Sequence, residues 1–73
     1  MPLLWSKRRE IVEWLAAQYR DMATMPAAQA KAQAEADYAR DPVEAAKRAG
    51  SFAAYVESTT GVRDPRRVGN WRP

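Results

Sequence analysis

The sequence predicts a small all-α protein, with three helices in an up-down arrangement and an extended basic C-terminal tail. Apolar residues recur at helical spacing in two segments, and alanine, the best helix former, dominates a third. Proline after aspartate and glycine after the last apolar residue mark where helices begin and end. Since the chain has 73 residues, it forms one domain at most. We assign residues 1–60 to the helical domain and residues 61–73 to the tail.

The first helix is expected from about residue 3 to residue 22. Pro2 or Ser6 can begin it, because both residue types are favoured at helix starts. Arg9 and Glu13 are four residues apart on its outer side and can form a weak ion pair. Its apolar face is expected to pack on the core and consists of Trp5, Ile11, Val12, Trp14, Leu15, Tyr19 and Met22.

A second helix is expected from about residue 25 to residue 40. Thr24 fits its N-cap, and Pro26 fits its first turn. Alanine nearly alternates here as apolar residues do in a strand, but alanine is depleted in strands and favours helix. One stripe of small residues is expected to let another helix approach closely, and it comprises Ala28, Ala32, Ala36 and Ala39.

The third helix is expected from residue 42 to about residue 59. Asp41, Pro42 and Glu44 fit the N-cap, first and third positions of a capping box. Gly50 either lies inside this helix or divides it, with Ser51 capping a fourth helix. We favour one helix that ends at Gly61, because the apolar stripe continues through Gly50 in phase. That stripe comprises Val43, Ala46, Ala49, Phe52, Ala53 and Val56.

The composition predicts a thin core. Fifteen of the apolar residues are alanine, and burying a methyl group contributes far less than burying Leu or Phe. The chain has no cysteine, so no disulfide replaces the missing core. We therefore expect a chain that is marginally stable alone, or completed by another protein, by a second copy or by a larger assembly.

The charge is concentrated at the two ends. Residues 1–20 carry a net charge of +2, residues 21–60 carry −2 and residues 61–73 carry +3. Basic ends suit phosphates or an acidic protein surface. No apolar run approaches the roughly 20 residues of a membrane span, and the N-terminal basic cluster follows the apolar stretch, unlike a secretory signal. The absence of cysteine fits a cytoplasmic protein.

No catalytic, cofactor-binding or metal-binding residues are predicted, and the chain is not expected to be an enzyme. It contains no histidine and no cysteine, which removes the commonest general base, the thiol nucleophile and the commonest zinc ligands. Asp37 and Asp41 are four residues apart and can share a helix face with a cation. Their loose spacing favours a solvated helix end instead.

The tail carries the main candidate binding site. Arginine binds phosphate or carboxylate through a planar fork and stacks on aromatic rings, and a tryptophan there can stack on a base or fill a protein pocket. The alternative is that Trp71 closes the core of this protein while the arginines face outward. The candidate residues are Arg63, Arg66, Arg67, Trp71 and Arg72.

A second candidate site lies at the N-terminus and comprises Trp5, Lys7, Arg8 and Arg9. These residues can form an amphipathic foot on a membrane surface. We favour an ordinary first helical turn with Trp5 on the core, because the apolar piece is too short for firm anchoring. Lys47 and Arg48 are expected on a solvated face, where Glu44 can pair with Arg48.

The C-terminal third resembles that of small phage head-completion proteins of the lambda W type. There, as here, a helix ends at a Thr-Gly pair (Thr60 and Gly61), and an arginine-rich tail follows with a late glycine and aromatic residue (Gly69 and Trp71). The resemblance covers about 25 residues. That family has a β-hairpin between its helices, where this chain has alanines. The resemblance implies a head–tail joining subunit in a virion, whose basic tail reaches the portal or the packaged DNA.

These observations favour a non-enzymatic structural or assembly subunit that docks on a larger, virion-like complex through its helices and tail. One alternative is a nucleic-acid-binding accessory or regulatory protein that uses the Arg/Trp tail. Another is a small inhibitor or adaptor from a mobile element. The expected partner is a protein or a second copy, with nucleic acid as an option for the tail. No cofactor and no small-molecule substrate are expected.

Overall fold

The computed structural model describes the backbone of residues 2–61 and 63–70, and the side chains of residues 8–61 and 63–67. It contains three α-helices, α1 (Pro2–Met22), α2 (Ala27–Arg40) and α3 (Pro42–Thr60), and a short 3-10 helix at Pro65–Asn70. These ranges contain no strand. The prediction of a small all-α fold with three helices is confirmed.

The core lies between the three helices, each of which contacts the other two. Trp14 meets Phe52 edge-on, with ring centroids 5.9 Å apart, and Tyr19 meets Arg48. Residues later in α1 thus contact residues earlier in α3, so these two helices run antiparallel. The buried apolar residues are Val12, Trp14, Leu15, Ala16 and Ala17 of α1, Ala30 and Ala34 of α2, and Ala45, Ala49, Phe52 and Val56 of α3.

Two large residues that were predicted to face the core do not do so. Met22 is 64% exposed and Val43 is 68% exposed. Met22 is the last residue of α1 and borders an open groove. Val43 lies one position from Pro42, at the start of α3, and Ala45 fills the core there instead. The large core side chains therefore come from the middle of α1 and the second half of α3.

The start of α2 differs from the prediction. The helix begins at Ala27 with Pro26 as its N-cap residue, and no side chain caps it. Thr24 has a left-handed backbone (φ 54°), and its hydroxyl donates to the carbonyl of Ala23 instead. The backbone N–H groups of Ala23 and Met25 both donate to the carbonyl of Tyr19. Because Thr24 adopts this turn conformation and its hydroxyl bonds to Ala23, it does not cap the N-terminus of α2.

The buried face of α2 also differs from the predicted stripe. Its buried residues are Ala30, Ala34 and Asp37, whereas Ala28, Ala32, Ala36 and Ala39 are exposed. Alanine occurs on every side of this helix, so its spacing could not indicate which side faces the core. The carboxylate of Asp37 favours this orientation, because two of its partners, Tyr19 and Arg48, lie on α1 and α3.

The junction between α2 and α3 confirms the predicted cap. Asp41 is the single residue between the helices, and its Oδ1 accepts a hydrogen bond from the backbone of Glu44 at 3.2 Å. Pro42 occupies the first turn of α3. The reciprocal bond of a capping box is replaced, because the N–H of Asp41 donates to the carbonyl of Asp37 in the last turn of α2. One residue thus ends α2 and begins α3.

Helix α3 is continuous through Gly50, as predicted, and ends at Gly61 in the left-handed conformation (φ 77°). Beyond it, Asp64 begins the 3-10 helix by accepting a hydrogen bond from the backbone of Arg66. The 3-10 helix contacts α1, and Arg20 donates to the carbonyl of Pro65 at 3.0 Å. Residues 65–70 therefore fold back on the domain instead of extending from it.

Candidate functional site

A buried charge ties the three helices together. The carboxylate of Asp37 on α2 is only 4% exposed. It accepts hydrogen bonds from the Tyr19 hydroxyl of α1, from the Gln33 amide at 3.1 Å and from Arg40 at 3.1 Å. We call these residues, with Arg48 of α3, the Asp37 cluster.

Arg48 brings α3 into the cluster. Its Nη1 lies 3.3 Å from Oδ2 of Asp37, and its Nη2 donates to the Tyr19 hydroxyl at 3.0 Å. Its guanidinium also lies over the Tyr19 ring, 5.6 Å from the centroid, as in a cation–π contact. The pKa of Arg48 is raised above its usual value, chiefly by the hydrogen bond to Tyr19. The contacts with Asp37 and Tyr19 hold its guanidinium between the helices.

Burial alone would raise the pKa of the Asp37 carboxyl. The hydrogen bonds from Tyr19 and Gln33, with the charges of Arg48 and Arg40, outweigh burial and lower that pKa below its usual value. The interpretation of Asp37 as part of a solvated helix end was therefore wrong. So was the expectation that Arg48 lies on a solvated face, since it pairs with Asp37. The helical spacing of Ala30, Ala34 and Asp37 places them on one face of α2. This spacing could have indicated the buried face only if a charged residue had been considered as part of the core.

Beside this cluster, an open groove runs between α1 and α3. We call it the Tyr55 groove. Tyr55 is 50% exposed and Met22 is 64% exposed, and the Tyr55 ring lies 6.4 Å from that of Phe52. The groove is lined by Gln18 and Met22 of α1 and by Glu44, Lys47, Arg48, Ser51, Phe52 and Tyr55 of α3.

One polar atom in the wall of this groove is unusual. Oε1 of Gln18 is buried and has no hydrogen-bond partner among the described residues. A buried acceptor without a donor is rare and costs free energy. The groove thus combines exposed apolar side chains, an unused acceptor and charged groups at its rim.

The basic tail is only partly available for binding. Arg63 forms an ion pair with Glu57 of α3. Arg66 lies 3.3 Å from Asp64 and 3.7 Å from Glu13 of α1, so the carboxylate predicted to pair with Arg9 lies beside the tail. Arg67 is exposed. The predicted tail residues Trp71 and Arg72 lie outside the described residues.

In the N-terminal candidate site, one basic residue contacts this chain and another is exposed. The Arg8 guanidinium lies over the Tyr38 ring of α2, 5.5 Å from its centroid, and Arg9 is exposed. The side chains of Trp5 and Lys7 lie outside the described residues. Arg8 therefore helps to hold α1 on α2.

The described residues contain no group of three or more His, Cys, Asp or Glu side chains that could hold a metal ion. No helix within residues 2–61 is both long and apolar enough to cross a membrane. No protein-family model, curated protein or solved structure matches this chain. The likeness to head-completion proteins therefore stays a prediction.

Proposed function

We propose that this chain is a non-enzymatic assembly subunit that docks on a larger protein complex through the Tyr55 groove. The observation that carries the proposal is the pairing of Tyr55 and Met22, two large apolar side chains that are half exposed or more on one groove. In a domain with so few large apolar residues, leaving two of them in solvent needs a reason. Exposed apolar side chains that share one groove with polar groups at its rim fit a protein interaction site.

The residue types of the groove suit a protein partner. Tyrosine and methionine are enriched at protein interfaces, and the flexible thioether of methionine adapts to the shape of a partner. The Tyr55 hydroxyl can hydrogen-bond while its ring packs. Gln18 lines the groove, and its Oε1 has no hydrogen-bond partner among the described residues, so a donor of the partner would satisfy it if the amide turned outward. The expected occupant is an apolar side chain of the partner with a hydrogen-bond donor beside it.

The charges near the tail also support protein docking over nucleic-acid binding. Of the three tail arginines whose side chains are described, Arg63 and Arg66 lie against carboxylates of this chain. A phosphate would have to compete with Glu57 and Asp64 for them. The resemblance to head-completion proteins supports a virion-like complex as the assembly. A small inhibitor or adaptor would use the same groove on a single partner.

Affinity capture from an extract of the source cells tests this proposal. The tagged wild-type chain is compared with Tyr55→Asp, which places a charge in the groove. The matched control is Ala36→Asp, which places the same charge at an exposed position of α2. We expect the wild type and the control to retain the same protein, identified by mass spectrometry, and Tyr55→Asp to lose it. Equal retention by all three chains, or no specific retention by the wild type, would contradict the proposal.

A further inference from the structure

The outward face of α3 carries a regular pattern that the core does not use. Successive positions on this face are separated by four, three, four and three residues, as where two helices pack along each other, but charged and small residues replace most of the apolar residues of a coiled coil. We call this set the α3 seam. All its members are exposed, and they are Val43, Lys47, Gly50, Ala54 and Glu57.

Within the described chain, Arg63 contacts the α3 seam at Glu57, and Gly50, Ala54 and Glu57 border a groove beside α1, but no element packs over the seam. The buried residues of α3 lie on the opposite side, at Ala45, Ala49, Phe52 and Val56. A Cβ atom added at Gly50 would meet nothing within 4 Å, so the packing of this chain does not require a glycine there. Glycine is less favourable than alanine inside a helix. Gly50 and Ala54 instead leave room for the backbone of a helix from outside.

The seam is complementary to itself when a second copy of α3 lies antiparallel to it. In an antiparallel pair of identical helices, each residue of one copy lies opposite a residue of the second copy. The two residue numbers are equally far from one midpoint in the sequence, which is the same for every layer. Phe52 is the midpoint between Lys47 and Glu57, and also between Gly50 and Ala54. One register therefore places opposite charges together and small residues together. A parallel pair would place Lys47 on Lys47 and Glu57 on Glu57, which is unfavourable.

The side chains needed for these layers are accessible. Lys47 is exposed and makes no hydrogen bond or ion pair with the described residues. Arg63 binds Glu57 through Oε1, and the second carboxylate oxygen can accept from Lys47 of the second copy. The same midpoint relates Val43 to Gly61, where the absent side chain leaves space for the valine.

We propose that two copies of this chain associate through the α3 seam, as an antiparallel pair of α3 helices with two-fold symmetry. Such an interface uses the same patch on both copies. The Lys47 and Glu57 layers occur twice and fix the register. The seam faces away from the Tyr55 groove except at Lys47, which borders both, so this proposal does not depend on the docking proposal.

Sedimentation velocity of the full chain over a range of concentrations tests the pairing. We expect a monomer–dimer equilibrium that weakens as salt increases, because the charged layers are near the surface. Lys47→Glu places two glutamates in each charged layer, and Glu57→Lys places two lysines there. Each variant alone should raise the dimer dissociation constant by about tenfold, since two layers change from attraction to repulsion.

An equimolar mixture of the two variants provides the sharpest result. In the mixed dimer both layers again join lysine to glutamate, so dimerisation should return to the wild-type level. The matched controls, Lys31→Glu and Glu35→Lys, make the same charge changes at exposed positions of α2 and should leave dimerisation unchanged. Circular dichroism establishes that each variant is folded. A wild-type chain that stays monomeric, or a mixture that fails to restore pairing, would overturn the proposal.

Discussion

Asp37 shows how one buried residue organises the contacts among three helices. Its carboxylate receives hydrogen bonds from Tyr19 of α1 and from Gln33 of α2, and it pairs with Arg48 of α3. Burying a carboxylate is unfavourable unless such partners replace the water it loses. The same partners fix how α2 turns toward α1 and α3.

Replacing Asp37 by alanine should therefore destabilise the domain strongly. The change leaves the Tyr19 hydroxyl without its acceptor and Arg48 without its carboxylate, although Arg48 still donates to Tyr19. Losing these partners of a buried carboxylate costs about 2–4 kcal/mol. Urea unfolding followed by circular dichroism measures the loss. The control Glu35→Ala alters an exposed carboxylate of the same helix and should change the free energy of unfolding by less than about 0.5 kcal/mol. Equal effects of the two substitutions would show that the cluster contributes nothing.

Asp37 should also make stability depend on pH. Burial raises its pKa, but its hydrogen bonds and the arginine charges outweigh burial, so the pKa lies below the usual 3.8. A carboxyl with a lowered folded-state pKa contributes stability above its unfolded pKa, and that contribution is lost as pH falls through the folded pKa. The free energy of unfolding should therefore decrease below about pH 4.

The pH profile of Asp37→Asn identifies the source of this decrease. The amide cannot titrate, so the slope below about pH 4 should become shallower than in the wild type. Asp64 also has a lowered pKa, mainly because it accepts the backbone N–H of Arg66. Since Asp64 is at the surface, Asp64→Asn should change the slope less. If the free energy of unfolding of Asp37→Asn fell with pH as steeply as that of the wild type, Asp37 would not be the source of the pH dependence.

Among the helices, short sequence motifs predicted the helix ends better than they predicted which face of a helix is buried. Asp41-Pro42 and Gly61 were predictable because a cap or a left-handed glycine acts through hydrogen bonds to its own neighbours. The start of α2 was misplaced, because Thr24 adopts a turn conformation that the preceding helix determines. The buried face of α2 was not predictable from its alanines, since they occur on every side.

Gly50 gives a direct test of how α3 is packed. A Cβ atom at this position would meet nothing within 4 Å, and alanine favours helix over glycine by about 1 kcal/mol. Gly50→Ala should therefore raise the free energy of unfolding by about 0.5–1 kcal/mol. Thermal unfolding at low protein concentration, where the chain is monomeric, measures the change. A lower melting temperature would mean that the glycine is needed within the domain.

At the scale of the molecule, the composition predicted a thin core, and the structure shows where its large members are. Trp14 and Leu15 of α1 share the core with Phe52 and Val56 of α3, while α2 contributes alanines and Asp37. The Tyr55 groove was not predicted, because the sequence placed Met22 in the core and offered no reason to join Tyr55 to it. The candidate site depends on how α1 and α3 lie against each other, which helical periodicity alone does not determine.

The described part of the tail folds back on the domain, and Trp71 lies outside the described residues. Residues 65–70 pack against α1, while the Arg67 side chain is exposed. Arg63 and Arg66 contact carboxylates of α3 and of the tail itself. Carboxylates of this chain therefore offset the charges of Arg63 and Arg66, whereas Arg67 is exposed.

We propose that this chain recognises a protein and not a nucleic acid. This claim is tested most directly by fluorescence anisotropy of labelled duplex and single-stranded DNA, titrated with the intact chain and with a chain that ends at Gly61, over a range of salt. We expect both chains to bind DNA equally weakly, with little dependence on salt. Binding that needs residues 62–73 and falls with a logarithmic salt slope of roughly −3 to −4, as about four phosphate contacts would give, would contradict the claim.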